Sequence, residues 1–177
     1  MYKALIFLKL LVLRSFFNIN LLNIFIKNTS HGFKFIGSKS FQYFETNEKD
    51  VIEIFSRIIS RMDAFINIGA HHGYYCCLAI KKKVPTIAFE PYHPNLKFLY
   101  KNLKINNYNK KIEIFPMALS DKIGICKIFG KDSGASLLEG WGGQFSNELI
   151  YQSTLDRILK KRFNNREKIL FLIDVVL

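Results

Sequence analysis

The sequence predicts an α/β fold built on a parallel sheet. Three observations carry that prediction: short apolar runs alternate with helix-period segments, a glycine turn joins the first run to a helix, and the second run ends on a carboxylate. The first run and its turn are Phe65 to Gly73, FINIGAHHG, and the carboxylate is Glu90 in TIAFEP. In open α/β sheets ligands bind outside the carboxyl ends of the strands. These residues therefore predict a nucleoside site.

The elements follow in order. Residues 1–27 are strongly apolar, but Lys9 and Arg14 interrupt them, and a spanning helix needs about 20 apolar residues. Wound as a helix, the segment sets Lys3, Arg14 and Asn18 against Lys9, Asn20 and Asn23, so it has no clean polar face. It also lacks an Ala-x-Ala cleavage site. The expectation is a helix that packs on the domain or rests on a membrane surface. Residues 28–46 read as a loop or short hairpin, making 1–46 an apolar N-terminal helix and loop and 47–177 the main domain.

From Asn47 to Arg61, residues Val51, Ile54, Phe55, Ile58 and Ile59 recur at helical spacing, with Asn47 as the expected cap. A strand is expected at Ala64 to Ile68, then a helix from Gly73 to about Lys81. Pro85 opens the second strand, which ends at Glu90 and Pro91, and Pro94 starts the next helix. The third strand is expected over 111–119. Gly124 to Phe129 alternates like an exposed strand, and Gly130 to Gly143 carries five glycines and Trp141, so one or two antiparallel strands are expected as an insertion. A short helix over Thr154 to Leu159 and a fourth strand, KILFLIDVVL, complete the chain.

The 177 residues are 49% hydrophobic and carry a net charge of +12. That is enough chain for one core. The charge fits phosphate, acidic glycan or an anionic membrane, yet no basic cluster is interleaved with aromatics as a nucleic-acid groove would be. Three cysteines make no disulfide framework, and reduced thiols fit the cytoplasm. Adjacent Cys76 and Cys77 are expected to fill space. No metal site is expected, because His72 and Cys76 have no second ligand pair.

The turn selects among nucleoside ligands. A pyrophosphate site wants G-x-G-x-x-G, but counting from Gly69 places His71 and Tyr74 where the second and third glycines belong. S-adenosylmethionine has no phosphate and needs only the tight turn that Gly69 and Gly73 provide. Glu90 follows Gly69 by 21 residues, where a carboxylate can accept from both ribose hydroxyls.

With these motifs the chain resembles the FkbM family of S-adenosylmethionine-dependent methyltransferases over roughly Asp63 to Val175. The resemblance rests on FINIGAHHGYY, on IAFEPYHPNLKFLYKNLKINN with its spaced asparagines, on MALSD, on STLD at Ser153 to Asp156, and on FLIDV. It implies a Rossmann-like class I methyltransferase sheet and an O-methyltransferase acting on a hydroxyl of a glycan or small metabolite. It also implies that Asn67, Gly69, Ala70 and Gly73 line the methionine side of the cofactor, with His71 in place of the family's usual Asn. Glu90 would hold the ribose, Met117 and Ala118 would approach the adenine, and Asp174 would face the reaction centre. Asp174 or His71 could serve as base.

The resemblance carries departures too. Asn67 stands for the usual Asp, and Leu172, Val176 and Leu177 replace the Lys, Glu and Gly of the family's K-I-D-V-E-G. The family sheet has strand order 3-2-1-4-5-7-6, of which this chain supplies 3-2-1-4. The expectation is a C-terminally truncated chain, incomplete after strand 4. Its alternatives are a non-catalytic remnant and a nucleic-acid methyltransferase, which the charge favours but the missing N-P-P-Y-like motif disfavours. Partners are expected to be a hydroxyl acceptor and, through residues 1–27, the surface of a membrane.

Overall fold

The computed structural model describes residues 26–130, 134–139, 148–163 and 167–175. A hairpin, β1 (Ile26–Asn28) and β2 (Lys34–Ile36), is followed by helices α1 (Ser38–Thr46) and α2 (Lys49–Ile59). Alternating strands and helices come next: β3 (Ala64–Ile68), α3 (Tyr74–Lys81), β4 (Thr86–Phe89), α4 (His93–Ile105) and β5 (Ile112–Phe115). Then come β6 (Ala118–Leu119), β7 (Gly124–Lys127), β8 (Leu149–Ser153), α5 (Leu155–Leu159) and β9 (Ile169–Ile173).

The main sheet is parallel throughout, in the order β5-β4-β3-β9. This is the Rossmann-like order 3-2-1-4 expected from the sequence. Every residue of β3 is buried, as a strand covered on both faces requires. Phe65 enters one apolar cluster with α1 to α4, while Ile66 and Ile68 enter a second with Met117, Leu155 and Ile158 on the opposite face. The insertion is a separate three-stranded sheet in which β8 pairs antiparallel with β7 and parallel with β6.

Several expectations need correction. Residues 28–46 contain not only a hairpin but also the nine-residue α1. Asn47 ends α1 rather than capping α2, whose N-cap is Glu48. The buried face of α2 is Ile52, Phe55 and Ile59, and Val51, Ile54 and Ile58 are exposed. The apolar residues form one broad face of which only half is covered, so periodicity alone could not say which half. The third strand splits into β5 and β6 around Pro116, which cannot donate to a ladder. The proposed helix over residues 1–27 lies outside the described residues apart from Ile26 and Lys27, which belong to β1; Trp141 also lies outside them.

The N-terminal hairpin is held to the sheet layer in two ways. Aromatics pack it: Tyr74 of α3 stacks on Phe44 at 4.5 Å and meets Phe33 and Phe35 edge-on at 5.0 and 5.3 Å. Asparagines also bond it. The Asn102 amide accepts from Ile36 N–H at 2.6 Å and donates to Ile36 O at 3.1 Å and His72 O at 2.9 Å. One helical turn on, Asn106 accepts from Lys34 N–H at 2.8 Å and donates to Lys34 O at 2.7 Å. The two side chains act as a surrogate strand along the edge of β2 that β1 leaves open, which satisfies backbone groups otherwise unpaired. The spaced asparagines of the sequence thus have a structural task.

Asn102 is fully buried, so Asn102→Ala leaves three polar groups of Ile36 and His72 without partners. A loss of about 2–4 kcal/mol is expected in urea unfolding, against about 1 kcal/mol for Asn106→Ala at a half-buried position. Equal small losses would contradict the assignment.

Candidate functional site

The turn from β3 to α3 is tight because three of its residues take positive φ: Gly69 at 82°, His71 at 49° and Gly73 at 83°. A side chain at Gly69 would lie 2.1 Å from the backbone oxygen of Asp174, and one at Gly73 would strike Leu99. The glycines are therefore required first by the close approach of β9's end and of α4. The turn's amides are used internally: Gly69 and Ala70 N–H both donate to Phe89 O at 2.9 Å, and Gly73 N–H donates to Ala70 O at 2.8 Å.

Glu90, at the end of β4, is only 4% exposed. Its carboxylate accepts from His71 N–H at 2.6 Å, Tyr92 N–H at 2.9 Å and Asn95 Nδ2 at 3.4 Å. Burial pushes its pKa up, nearby Asp174 adds to the rise, and the three hydrogen bonds oppose it. Glu90 thus clamps the β3–α3 turn to the β4–α4 turn. A carboxylate offers about four lone-pair sites, so one remains for a ligand hydroxyl.

Beside this clamp a cleft opens at the carboxyl ends of β3 and β4. Its walls include Gly69, Phe89, Pro91, Met117, Ala118 and Ile128, with Ala135 to Leu137 and Val175 at its rim. It holds about 50 Å³ of room within about 420 Å³ of empty space open to solvent. Among the described residues no lysine or arginine lines it, although the chain as a whole is strongly basic.

The structure brings Gly69, Met117 and Ala118 into one cleft; Glu90 and Ala70 are buried and do not line it, although Phe89 and Pro91 on either side of Glu90 do. The structure does not bring Asn67 or Gly73 there. Asn67 is buried as the penultimate residue of β3 and donates to Cys76 Sγ at 3.4 Å, and its Oδ1 has no hydrogen-bond partner among the described residues. Gly73 packs on Leu99. Asp174 is exposed at the mouth, its N–H bonded to Ile68 O at 2.9 Å.

The His71 ring stacks on His72 at 3.9 Å, and His72 stacks on Phe98 at 4.4 Å. Burial, reinforced by His71, lowers the His72 pKa to about 3, against a smaller opposing effect of its hydrogen bond with Asn95. Cys76 and Cys77 are fully buried, and burial raises both thiols, Cys76 to about 12. They are packing groups. Among the described residues no group of three His, Cys, Asp or Glu could hold a metal.

The sequence did not single out Glu48, Tyr43 or Tyr75. Tyr75 Oη donates to Glu48 Oε2 at 2.5 Å; burial and then this bond raise the pKa of Tyr75, and the hydrogen bond with Glu48 raises that of Tyr43. Glu48 lies just ahead of α2 and outside any periodic pattern, so no sequence signal marked it.

No family profile and no curated protein matches the chain. Among solved structures it is similar to TYW2 of Pyrococcus horikoshii in complex with MeSAdo, with 16% identity and a TM-score of 0.47 over 55% of this chain and 37% of that one. A SAM-dependent methyltransferase of Agrobacterium tumefaciens gives 9% identity and a TM-score of 0.37 over 40% and 24%. Residues 961–1257 of the StiE O-MT give 11% and 0.38 over 44% and 29%. The chain thus spans about a quarter to a third of the length of these structures. Among the described residues no helix is long and apolar enough to cross a membrane.

The depressed His72 pKa has a consequence for stability. A neutral buried histidine stabilises fully above the unfolded-state pKa of 6.5, and that contribution is lost as pH falls toward about 3. His72→Phe keeps the stack on Phe98 and removes the titration. Its unfolding free energy should fall less than the wild type's between pH 6.5 and 4, by up to ~3 kcal/mol. Parallel pH curves would contradict this.

Proposed function

We propose that this chain forms the cofactor-binding part of an S-adenosylmethionine-dependent methyltransferase of the FkbM type, acting on a hydroxyl of a glycan or small metabolite. The observation that carries this reading is the cleft lined by Gly69, Met117 and Ala118, with Phe89 and Pro91, the chain neighbours of Glu90, among its other walls. Its described walls are mostly apolar and carry no basic side chain. That chemistry suits an adenine ring and a thioether chain and offers nothing to a pyrophosphate. The present room of about 50 Å³ is below that of a nucleoside, so in this reading the cleft widens on binding.

In this reading Met117 and Ala118 sandwich the base with Phe89 and Pro91, and the free lone pair of Glu90 accepts from a ribose hydroxyl. The Gly69 turn holds the chain that runs past Asp174. When bound, S-adenosylmethionine supplies an electrophilic methyl group on a positively charged sulfur. Asp174 is placed to accept the proton of an acceptor hydroxyl, and orientation of the acceptor supplies much of the acceleration. Membrane contact through residues 1–27 belongs to the same proposal.

A second reading, a chain that binds cofactor weakly and does not turn over, is favoured by one observation: the inward turn of Glu90, which already serves three protein donors.

Calorimetry with S-adenosylhomocysteine separates the two. The first reading predicts one-to-one binding that Glu90→Ala weakens at least ~10-fold, equivalent to losing one charge-assisted hydrogen bond, and no heat with NAD. Undetectable binding at millimolar ligand favours the second reading.

A further inference from the structure

The positive charge of the chain is not spread evenly. From Ala64 to Ile112 the sequence holds eight lysines and one acidic residue, Glu90, which is buried. Six of these lysines flank the starts of two neighbouring strands. Lys81, Lys82 and Lys83 close α3 ahead of β4, while Lys104, Lys110 and Lys111 lie at the end of α4 and ahead of β5. β4 and β5 are parallel and adjacent, so both groups gather at the end of the sheet where its strands begin. All six residues are exposed, and none forms an ion pair among the described residues. Asp63, the acidic residue ahead of β3, accepts from Lys168 N–H at 2.8 Å. Residues 1–25 contain no Asp or Glu, so they bring these lysines no counter-charge.

Helix ends account for little of this charge. A helix C-terminus carries about half a negative charge, so α3 and α4 together balance about one of the six lysines. Lys83 even takes φ 65°, the left-handed position after a helix where glycine is favoured. A lysine stands there at a cost to the backbone.

The lysines do not serve the cleft. It opens at the opposite, carboxyl ends of the strands, about 15 Å away along a strand of five residues. Exposed charges that far apart are largely screened at physiological salt, where the Debye length is about 8 Å. These lysines therefore do not steer an anionic substrate or a nucleic acid into the cleft. The connections that carry them end at one level of the sheet, and they offer point charges rather than the bidentate forks of arginine. We propose that this end of the sheet docks on an anionic lipid surface, with the cleft facing away from it. Each lysine drawn to such a surface strengthens partitioning about 5-fold. This inference stands on the placement of charge and not on the function proposed above, and it is separate from any contact through residues 1–27.

Flotation of the full chain with phosphatidylcholine vesicles, with and without phosphatidylserine, tests it, and circular dichroism checks folding. Binding should be at least ~10-fold tighter with the anionic lipid and should weaken steadily from about 20 to about 500 mM salt. Lys82→Gln, Lys110→Gln and Lys111→Gln together should weaken it ~100-fold. Lys49→Gln, Lys122→Gln and Lys127→Gln remove the same charge from exposed positions elsewhere and should leave binding within about 2-fold. Absence of binding to the anionic vesicles at low salt overturns the proposal, and binding of transfer RNA that the first triple variant loses would then name the partner instead. Equal binding to neutral vesicles also overturns it, because an apolar contact would account for that. So do equal losses in the two triple variants, since net charge rather than its placement would then decide.

Discussion

Glu90 is almost sealed from water, yet its carboxylate holds the backbone N–H groups of His71 and Tyr92 at 2.6 and 2.9 Å. Burying an ionised carboxylate costs several kcal/mol. Charge-assisted bonds to fixed amides offset that cost, because these donors are shorter-ranged and stronger partners than neutral ones. The consequence reaches beyond the side chain. The β3–α3 and β4–α4 turns, which come from adjacent parallel strands, are locked to each other through one residue. The positions of Gly69, His71 and Pro91, and hence one end of the cleft, depend on that lock.

The rest of the architecture serves to keep the two turns in register. Gly69 is pressed from behind by the Asp174 backbone oxygen, Gly73 by Leu99, and His72 by Phe98. Asn102 ties the His72 carbonyl to the β2 edge, so the N-terminal hairpin is bonded to the turn through one amide. Strain at the His71 φ of 49° persists because each neighbour over-determines it. What the site gains is a mostly apolar cleft flanked by a clamped carboxylate, with no lysine or arginine among its described walls.

Much of this was legible in the sequence, for physical reasons. β3 and β4 are continuous apolar runs bounded by turn residues, and a doubly covered parallel strand has to look like that. Gly69 and Glu90 could be placed because a turn at a strand end and a carboxylate at the next strand end fall at fixed spacing. α1 was hidden because Gly37 precedes it without a side-chain cap and its segment, SKSFQYFET, is mostly polar. The buried half of the apolar face of α2 was hidden because the exposed half is equally apolar. The inward turn of Glu90 depends on the φ of His71 and on Asn95 five residues on, and neither leaves a mark in composition or period. Asn67 reads from its motif as a cofactor residue, but its buried position in β3 puts it against Cys76.

The central claim is that the Glu90-locked turns form a cleft for a nucleoside without phosphate. Its most direct test is a ¹⁵N NMR titration of the full chain with S-adenosylhomocysteine and, separately, with NAD. The claim predicts saturable shifts confined to the amides of Gly69, His71, Tyr92 and Ala118 with the first ligand and none with the second. Equal shifts with NAD, or shifts that leave Gly69 and Ala118 unmoved, would contradict it.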